Sequence, residues 1–388
     1  MTSYKSAHKS PPNWVKELGT RGDKIGILTP GYGLEKVSYG INPDNYQYVK
    51  VNRVPIQRIV KGQNVITQCP FIIGGSISLF HSFNMLPLNG NFIVSYETEL
   101  PRFLGNSSEK QLQVGYNILK SDRCKGIYAL SEAGQKFAQK RMIDRGMTDL
   151  ADSIKVFRGG FHSFDIETSI GSNKGAIKAC FVGGQLFHKG IEATIDALQI
   201  LRDGGVNIEL EVVGKAEDSS YAVPGVQFDK ARLLRDLQEK SWISYSDSLP
   251  NDQIIALFKK SDLLLFPSID ESLGWVLVEA AMCGIPRLST NIYAFPELIE
   301  HEKDGWMVDL PLNEDLRWLH VGKTSAKDAW YEGRDLIVKG IVGILGNSSI
   351  NKDRLSEMGG QAQKKMQELY GLSKAREELQ SIYSKAIR

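Results

Sequence analysis

No stretch of the 388-residue chain approaches the roughly 18 consecutive apolar residues that a membrane-spanning helix requires. The opening MTSYKSAHKSPPNWVKELG lacks the apolar centre of a secretory signal. Cysteine is scarce. Cys69, Cys124, Cys180 and Cys283 are scattered, without the close spacing of a zinc or disulfide framework, and read as buried reduced thiols. These absences lead us to expect a cytoplasmic protein. No internal repeat is evident, and no segment has the dense basic residues and interleaved aromatics of a nucleic-acid groove, so nucleic acid is not an expected partner.

Charge of either sign is nearly absent in the sum, +2 from 47 Lys+Arg and 45 Asp+Glu, but it is unevenly spread. Through residue 165 there are 21 Lys+Arg against 13 Asp+Glu, giving +8, which leaves 26 against 32, or −6, for the remainder. A basic first half is compatible with an anionic partner, either a phosphate-bearing acceptor or peripheral attachment to the inner face of a membrane. It is equally compatible with an ordinary solvated surface. No sustained basic amphipathic helix supports the membrane reading.

A chain of this length exceeds one ordinary core, so two domains are expected. Short apolar runs alternate with helical patterns, which argues for α/β architecture with parallel sheets. Strands are predicted at 24–29, 47–51, 77–80, 91–95, 125–130 and 154–157, then at 178–183, 208–213, 242–245, 262–266 and 286–290. Between the two sets lies HSFDIETSIGSNKG (162–175), whose Ser, Gly and polar content suits a linker. The predicted domains are therefore 1–165 and 166–388, each Rossmann-like, with a ligand cleft at the carboxyl ends of the strands. Residues 361–385 form a polar, helix-prone tail broken only at Gly371.

The most informative segment is FPSIDESLGWVLVEAAMCGIP (266–286). An apolar strand ends at Pro267, a polar turn follows, and a helix over 276–283 stops at Gly284 and Pro286. Glu271 falls in the turn, and the N–H groups of Ser272, Leu273 and Gly274 lie at the helix entrance, where an anion is favoured. Glu279 falls about two turns into the helix. Two acids beside an anion-binding turn suit a sugar nucleotide: N–H groups take phosphates, and carboxylates accept hydrogen bonds from hydroxyls.

This segment resembles the E-x7-E signature of retaining glycosyltransferases of family 4, which have the two-domain GT-B fold. The likeness continues through FVGGQLFHKGIEATIDALQIL (181–201), LEVVGKAED (210–218), WISYSDSLPNDQIIALFKKSDLLLFPS (242–268) and PELIEHEKDGWMV (296–308), nearly unbroken from 178 to 310. The first half matches in outline, through KIGILTPGYG (24–33), LFHSFN (79–84), GIYALSEAGQKF (126–137) and IKVFRGGF (154–161). The resemblance implies two Rossmann-like domains facing a cleft, with a last helix at about 372–388 returning to the first. It implies metal-independent transfer of a hexose from a UDP- or GDP-sugar to a glycan or lipid-linked glycan, with no resident cofactor or metal.

Roles are implied residue by residue. Lys189 would contact the diphosphate, Glu271 the donor hydroxyls, Ser272, Leu273 and Gly274 the donor through backbone, and Glu279 the ribose. The base would lie against the backbone around Trp242 and Ile243, and Gly31 and Gly33 permit close approach to a phosphate or sugar. Where the family commonly carries a His near the reacting sugar, this chain has Glu97, a candidate catalytic acid that could deprotonate the acceptor hydroxyl, stabilise positive charge on the sugar or bind a sugar hydroxyl. His81 and Arg102 are candidates for the acceptor side. Blander alternatives stand beside each: a surface Lys, a helix-capping Glu271, a Glu97 paired with Arg102, a structural His81. The family's usual V-G-R turn here reads Val182, Gly183, Gly184, Gln185. Arg158, Arg102, His188 and Lys215 are possible replacements for that cation. The substitution favours the main rival, a binding subunit that keeps the fold without turnover. A phosphorylase or sugar-nucleotide epimerase of the same architecture is a further alternative.

Overall fold

The computed structural model describes residues 22–28, 31–54, 68–74, 76–103, 108–162, 164, 175–347 and 350–388. The predicted linker 162–175 lies mostly outside these residues, as do Thr29 and Pro30 of the first glycine turn. The chain divides into two compact units: residues 1–161 with 370–388, and residues 162–369.

In the first unit, β1 (Asp23–Ile27), β2 (Tyr46–Lys50), β5 (Leu79–Phe83), β6 (Phe92–Tyr96), β7 (Cys124–Ala129) and β8 (Ile154–Val156) form one parallel sheet, ordered β2-β1-β5-β6-β7-β8. The short strands β3 (Asn52–Arg53) and β4 (Ile72–Ile73) pair antiparallel beside it. Parallel strands need crossovers, and here they include α1 (Tyr32–Val37), α2 (Glu109–Leu119), α3 (Glu132–Ile143) and α4 (Thr148–Asp152). Ser108 starts α2 with a reciprocal capping box to Gln111. Val94, Tyr96, Leu112, Tyr116, Ile127 and Met142 belong to one buried cluster.

The second unit repeats the plan with β9 (Ile177–Gln185), β10 (Ile208–Lys215), β11 (Ile243–Ser246), β12 (Leu263–Phe266), β13 (Arg287–Thr290) and β14 (Gly305–Val308), ordered β11-β10-β9-β12-β13-β14, all parallel. β12 is buried along its whole length, which explains why LLLF shows no alternation. Its helices are α5 (Ile191–Asp203), α6 (Lys230–Glu239), α7 (Asn251–Lys260), α8 (Trp275–Met282), α9 (Phe295–Leu298), α10 (Ala326–Leu345) and α11 (Lys352–Tyr370). On α5, Ile191, Thr194, Ile195, Leu198 and Leu201 are buried at three- and four-residue spacing, the stripe of a helix lying on a sheet. In α8 every residue from Leu277 to Met282 is buried, so this helix is apolar around its circumference with Glu279 inside it.

The helix-prone tail forms α11 and α12 (Leu372–Ile387), separated at Gly371. α12 belongs to the first unit, where Tyr383 donates to or accepts from Tyr48 (3.0 Å) and His81 Nδ1 (2.8 Å), and Tyr46 Oη meets Ser384 Oγ at 2.9 Å. Two strand predictions need correction. β5 begins at Leu79 instead of residue 77, and GWMV, within the PELIEHEKDGWMV motif, forms an additional strand, β14. Among the described residues no helix is long and apolar enough to cross a membrane.

Candidate active site

Strand order reverses in the second sheet between β9 and β12, both flanked by helices in sequence. At such a switch point the two crossovers leave in opposite directions and open a crevice at the carboxyl ends. The turn after β9 carries Lys189, and the turn after β12 carries Glu271. The sheet thus makes neighbours of residues 82 apart in sequence.

Lys189 Nζ makes an ion pair with the Glu271 carboxylate and donates to the Asp270 backbone oxygen at 3.0 Å. The pair is largely enclosed, with 11% of the lysine side chain and 21% of the glutamate side chain exposed, and Nζ lies 5.6 Å from the Phe266 ring centre. Water therefore screens this pair less than it would a surface pair. The lysine is aimed by Gly190, which opens α5 in the left-handed conformation (φ 90°). A Cβ there would lie 2.4 Å from the Pro267 oxygen, so the Lys-Gly turn closes onto the exit of β12 only with glycine. Gly274 (φ 79°) opens α8 in the same way, and a Cβ on it would strike the Phe295 ring at 2.6 Å.

Glu271 also folds back on its own turn, its Oε1 accepting from the Ser272 N–H at 3.1 Å. One of the N–H groups read as open to an anion is thus already engaged. Leu273 is fully buried, so it contributes backbone alone. Glu279 is buried on α8, 7% exposed.

Ile243 is not brought to this place. The register sets Ile243 beside Leu210, which lies beside Ala179, whereas Ser246 is level with Val213 and Val182. Three residues of strand separate Ile243 from the carboxyl edge, roughly 10 Å. The loop beyond Ser246, not Ile243, reaches the side where Lys189 stands.

Sequence reasoning missed what holds the Glu271 turn. Asp270 is buried (3% exposed) and binds Arg317 through its Oδ1, with Arg317 Nε at 3.0 Å. Ser268 Oγ donates to the Asp270 oxygen at 2.8 Å, and the Ile269 N–H to the His188 oxygen at 3.0 Å. His188 is buried, its Nδ1 3.1 Å from Ser220 Oγ and 3.6 Å from Glu217 Oε1. Glu217 Oε2 in turn accepts from the Leu186 N–H at 3.0 Å. Asp270 is visible in sequence only as a neighbour of Glu271, and LRWLH around Arg317 carries no motif. Of the proposed replacement cations in this unit, His188 is occupied by this network and Lys215 is exposed at the end of β10.

The remaining candidates lie in the first unit. Gly31 caps α1 and Gly33 packs under Phe83. Glu97 Oε2 accepts from Asn84 Nδ2 at 3.3 Å and lies 3.6 Å from Arg102 Nη1, so the alternative pairing with Arg102 is present. Arg158 is paired with Glu132 at 2.9 Å. His81 is 1% exposed, with Nδ1 on Tyr383 and Nε2 on Ser95 Oγ at 2.9 Å. Burial lowers its pKa to about 3, so it is a neutral core group and both nitrogens are taken.

Two Rossmann-like α/β halves, each built on a parallel sheet, give the chain the GT-B fold. Comparison with known proteins agrees. The family Glycosyl transferases group 1 matches residues 163–319. A D-inositol 3-phosphate glycosyltransferase of Pseudarthrobacter chlorophenolicus is 26% identical over 139 residues, 36% of this chain and 32% of the relative. The chain thus matches about a third of that relative's length. An uncharacterised glycosyltransferase of Methanocaldococcus jannaschii is 27% identical over 79% of this chain and 84% of its own. Among solved structures, Anabaena HepE in complex with UDP-glucose has a TM-score of 0.57 at 15% identity, covering 94% of this chain and 99% of that one. Sucrose-phosphate synthase from Thermosynechococcus elongatus has 0.57 at 14%, covering 96% and 92%. At these identities the structural likeness is one of fold.

Proposed function

We propose that the protein is a retaining glycosyltransferase that moves a hexose from a UDP- or GDP-sugar to a hydroxyl of a glycan or lipid-linked glycan, without a metal. The observation that carries this reading is the Lys189–Glu271 pair at the β9/β12 switch point, within the region matching a glycosyltransferase family. The names of the relatives, and UDP-glucose on a protein of the same fold, support it.

In this mechanism the bond from the anomeric carbon to the diphosphate oxygen breaks, and its electron pair leaves with the diphosphate. Lys189 and the N–H groups of Leu273 and Gly274 meet that growing charge. The acceptor oxygen forms the new bond on the same face, and its proton passes to the departing diphosphate oxygen. Glu271, held by Lys189 and the Ser272 N–H, accepts from the donor sugar's hydroxyls, and Glu279 from the ribose. Glu97 and Arg102 are assigned to the acceptor side as an existing ion pair. His81 drops out of the assignment because both its nitrogens are engaged.

Calorimetry against a panel of UDP- and GDP-hexoses tests the reading. One or more donors should bind, and Lys189→Ala should weaken that binding about tenfold or more, the worth of a charge-assisted contact. Failure of every donor to bind would reject it. Gly184, where the family's usual turn has Arg, favours a second reading, donor binding without turnover. A donor that binds but is neither transferred nor hydrolysed would decide for that one.

A further inference from the structure

The first sheet has its own switch point, between β1 and β5, and a pocket of about 540 Å³ opens there. Its size is that of a small-molecule site. It lies at the carboxyl edge: Gly31 and Tyr32 follow β1, Lys50 ends β2 and Phe83 ends β5, with Asn52 and Arg53 on β3. Lys50 and Arg53 are exposed, and neither forms an ion pair among the described residues. Among the described residues no carboxylate lines the pocket.

The sequence extends that bias beyond the pocket. Residues 45–96 contain no Asp or Glu, whereas Lys50, Arg53, Arg58 and Lys61 all fall within them. Two cations and an amide line the pocket together with Tyr32, Phe80 and Phe83, and with no acid among the described lining residues the site favours negative charge. A phosphomonoester, carrying about −1.5 to −2 at neutral pH, matches two cations better than a single carboxylate does. We propose that this pocket binds a sugar or polyol bearing a phosphomonoester, with the phosphate between Lys50 and Arg53 and the ring against Tyr32 and Phe83. As an anion site it stands on these residues alone; as the acceptor site it rests on the transfer reading above.

The test is calorimetry of the full chain with hexose 6-phosphate, the unphosphorylated hexose, and vesicles containing phosphatidic acid, using wild type and the Lys50→Ala/Arg53→Ala double variant. A second double variant, Lys50→Arg/Arg53→Lys, keeps the charge. The ester should bind and the plain hexose should not. The alanine variant should bind about tenfold or more weakly, and the charge-keeping variant should recover most of the loss. Vesicle binding that falls in the same way, without binding of the soluble ester, supports the site with a lipid-borne phosphate as its source. No binding of either ester, equal binding of the plain hexose, or affinity unchanged in the alanine variant overturns the proposal. UDP-hexose titrated in parallel keeps the two readings apart. Its failure to bind rejects the donor assignment in the second unit and leaves the anion site standing.

Discussion

Acidification should unfold the first unit through His81. The imidazole is enclosed by Tyr383 and Ser95, and burial holds its pKa near 3 in the folded protein, against about 6.5 in an unfolded chain. Because the folded value is the lower one, the unfolded state takes up the proton first. The stability contribution is complete above the unfolded value and is lost as pH falls from about 6.5 towards 3. Linkage then gives a loss of about 2 kcal/mol at pH 5 and about 3 kcal/mol at pH 4. Five of the six tryptophans, from Trp242 to Trp330, lie in the second unit, so fluorescence is the wrong probe. Urea-dependent hydrogen exchange of peptides covering β5 and β6 reads the first unit directly. His81→Gln retains two hydrogen-bonding atoms and cannot titrate. The difference in stability between pH 7 and pH 5 should be about 2 kcal/mol larger in wild type than in this variant. Equal pH dependence in the two proteins would refute the reasoning, because the burial of a neutral imidazole would then have no energetic consequence.

Three further outcomes are expected. Arg287, fully buried on β13, pairs with Asp304 at 3.3 Å, and burial pulls its pKa down to about 10; Arg287→Ala leaves buried Asp304 with Lys365 alone, at 3.4 Å, and should lower stability by about 3 kcal/mol, the low end for a broken buried pair, in urea titrations followed by tryptophan fluorescence. Gly190→Ala places a Cβ 2.4 Å from the Pro267 oxygen at a φ of 90°, and should destabilise by about 1–3 kcal/mol while weakening donor binding through the displaced Lys189. Burial raises the thiol pKa to about 11 at Cys124 and about 12 at Cys69, Cys180 and Cys283, so a thiolate-specific reagent should label the folded protein slowly and the urea-unfolded protein at once.

The α/β class was legible because central parallel strands are buried on both faces and so read as bare apolar runs, LLLF at β12 being the clearest. β14 escaped because four residues behind a glycine give no periodicity to distinguish strand from loop. At the site, the turn carrying Glu271 and Gly274 was legible from residue type and position between a strand and a helix, whereas Lys189 was implied by the family resemblance. Their adjacency was not, since it arises from the sheet order that puts β9 beside β12. Ile243 was misplaced because backbone contacts leave no residue signature, although strand direction alone assigns it to the amino end. Arg317 is invisible in sequence because its partner, Asp270, is chosen by the fold of two distant loops.

The first unit is sewn from two pieces of chain, and α12 supplies the hydroxyl of Tyr383 that His81 and Tyr48 share. During synthesis this helix emerges only after the entire second unit, residues 162–369, has been made. The N-terminal half therefore waits on the ribosome with one wall of its core open, while its neighbour has everything it needs to close. Translation order and spatial order thus run opposite ways in this molecule: the half that is made first is the last to receive all of its core.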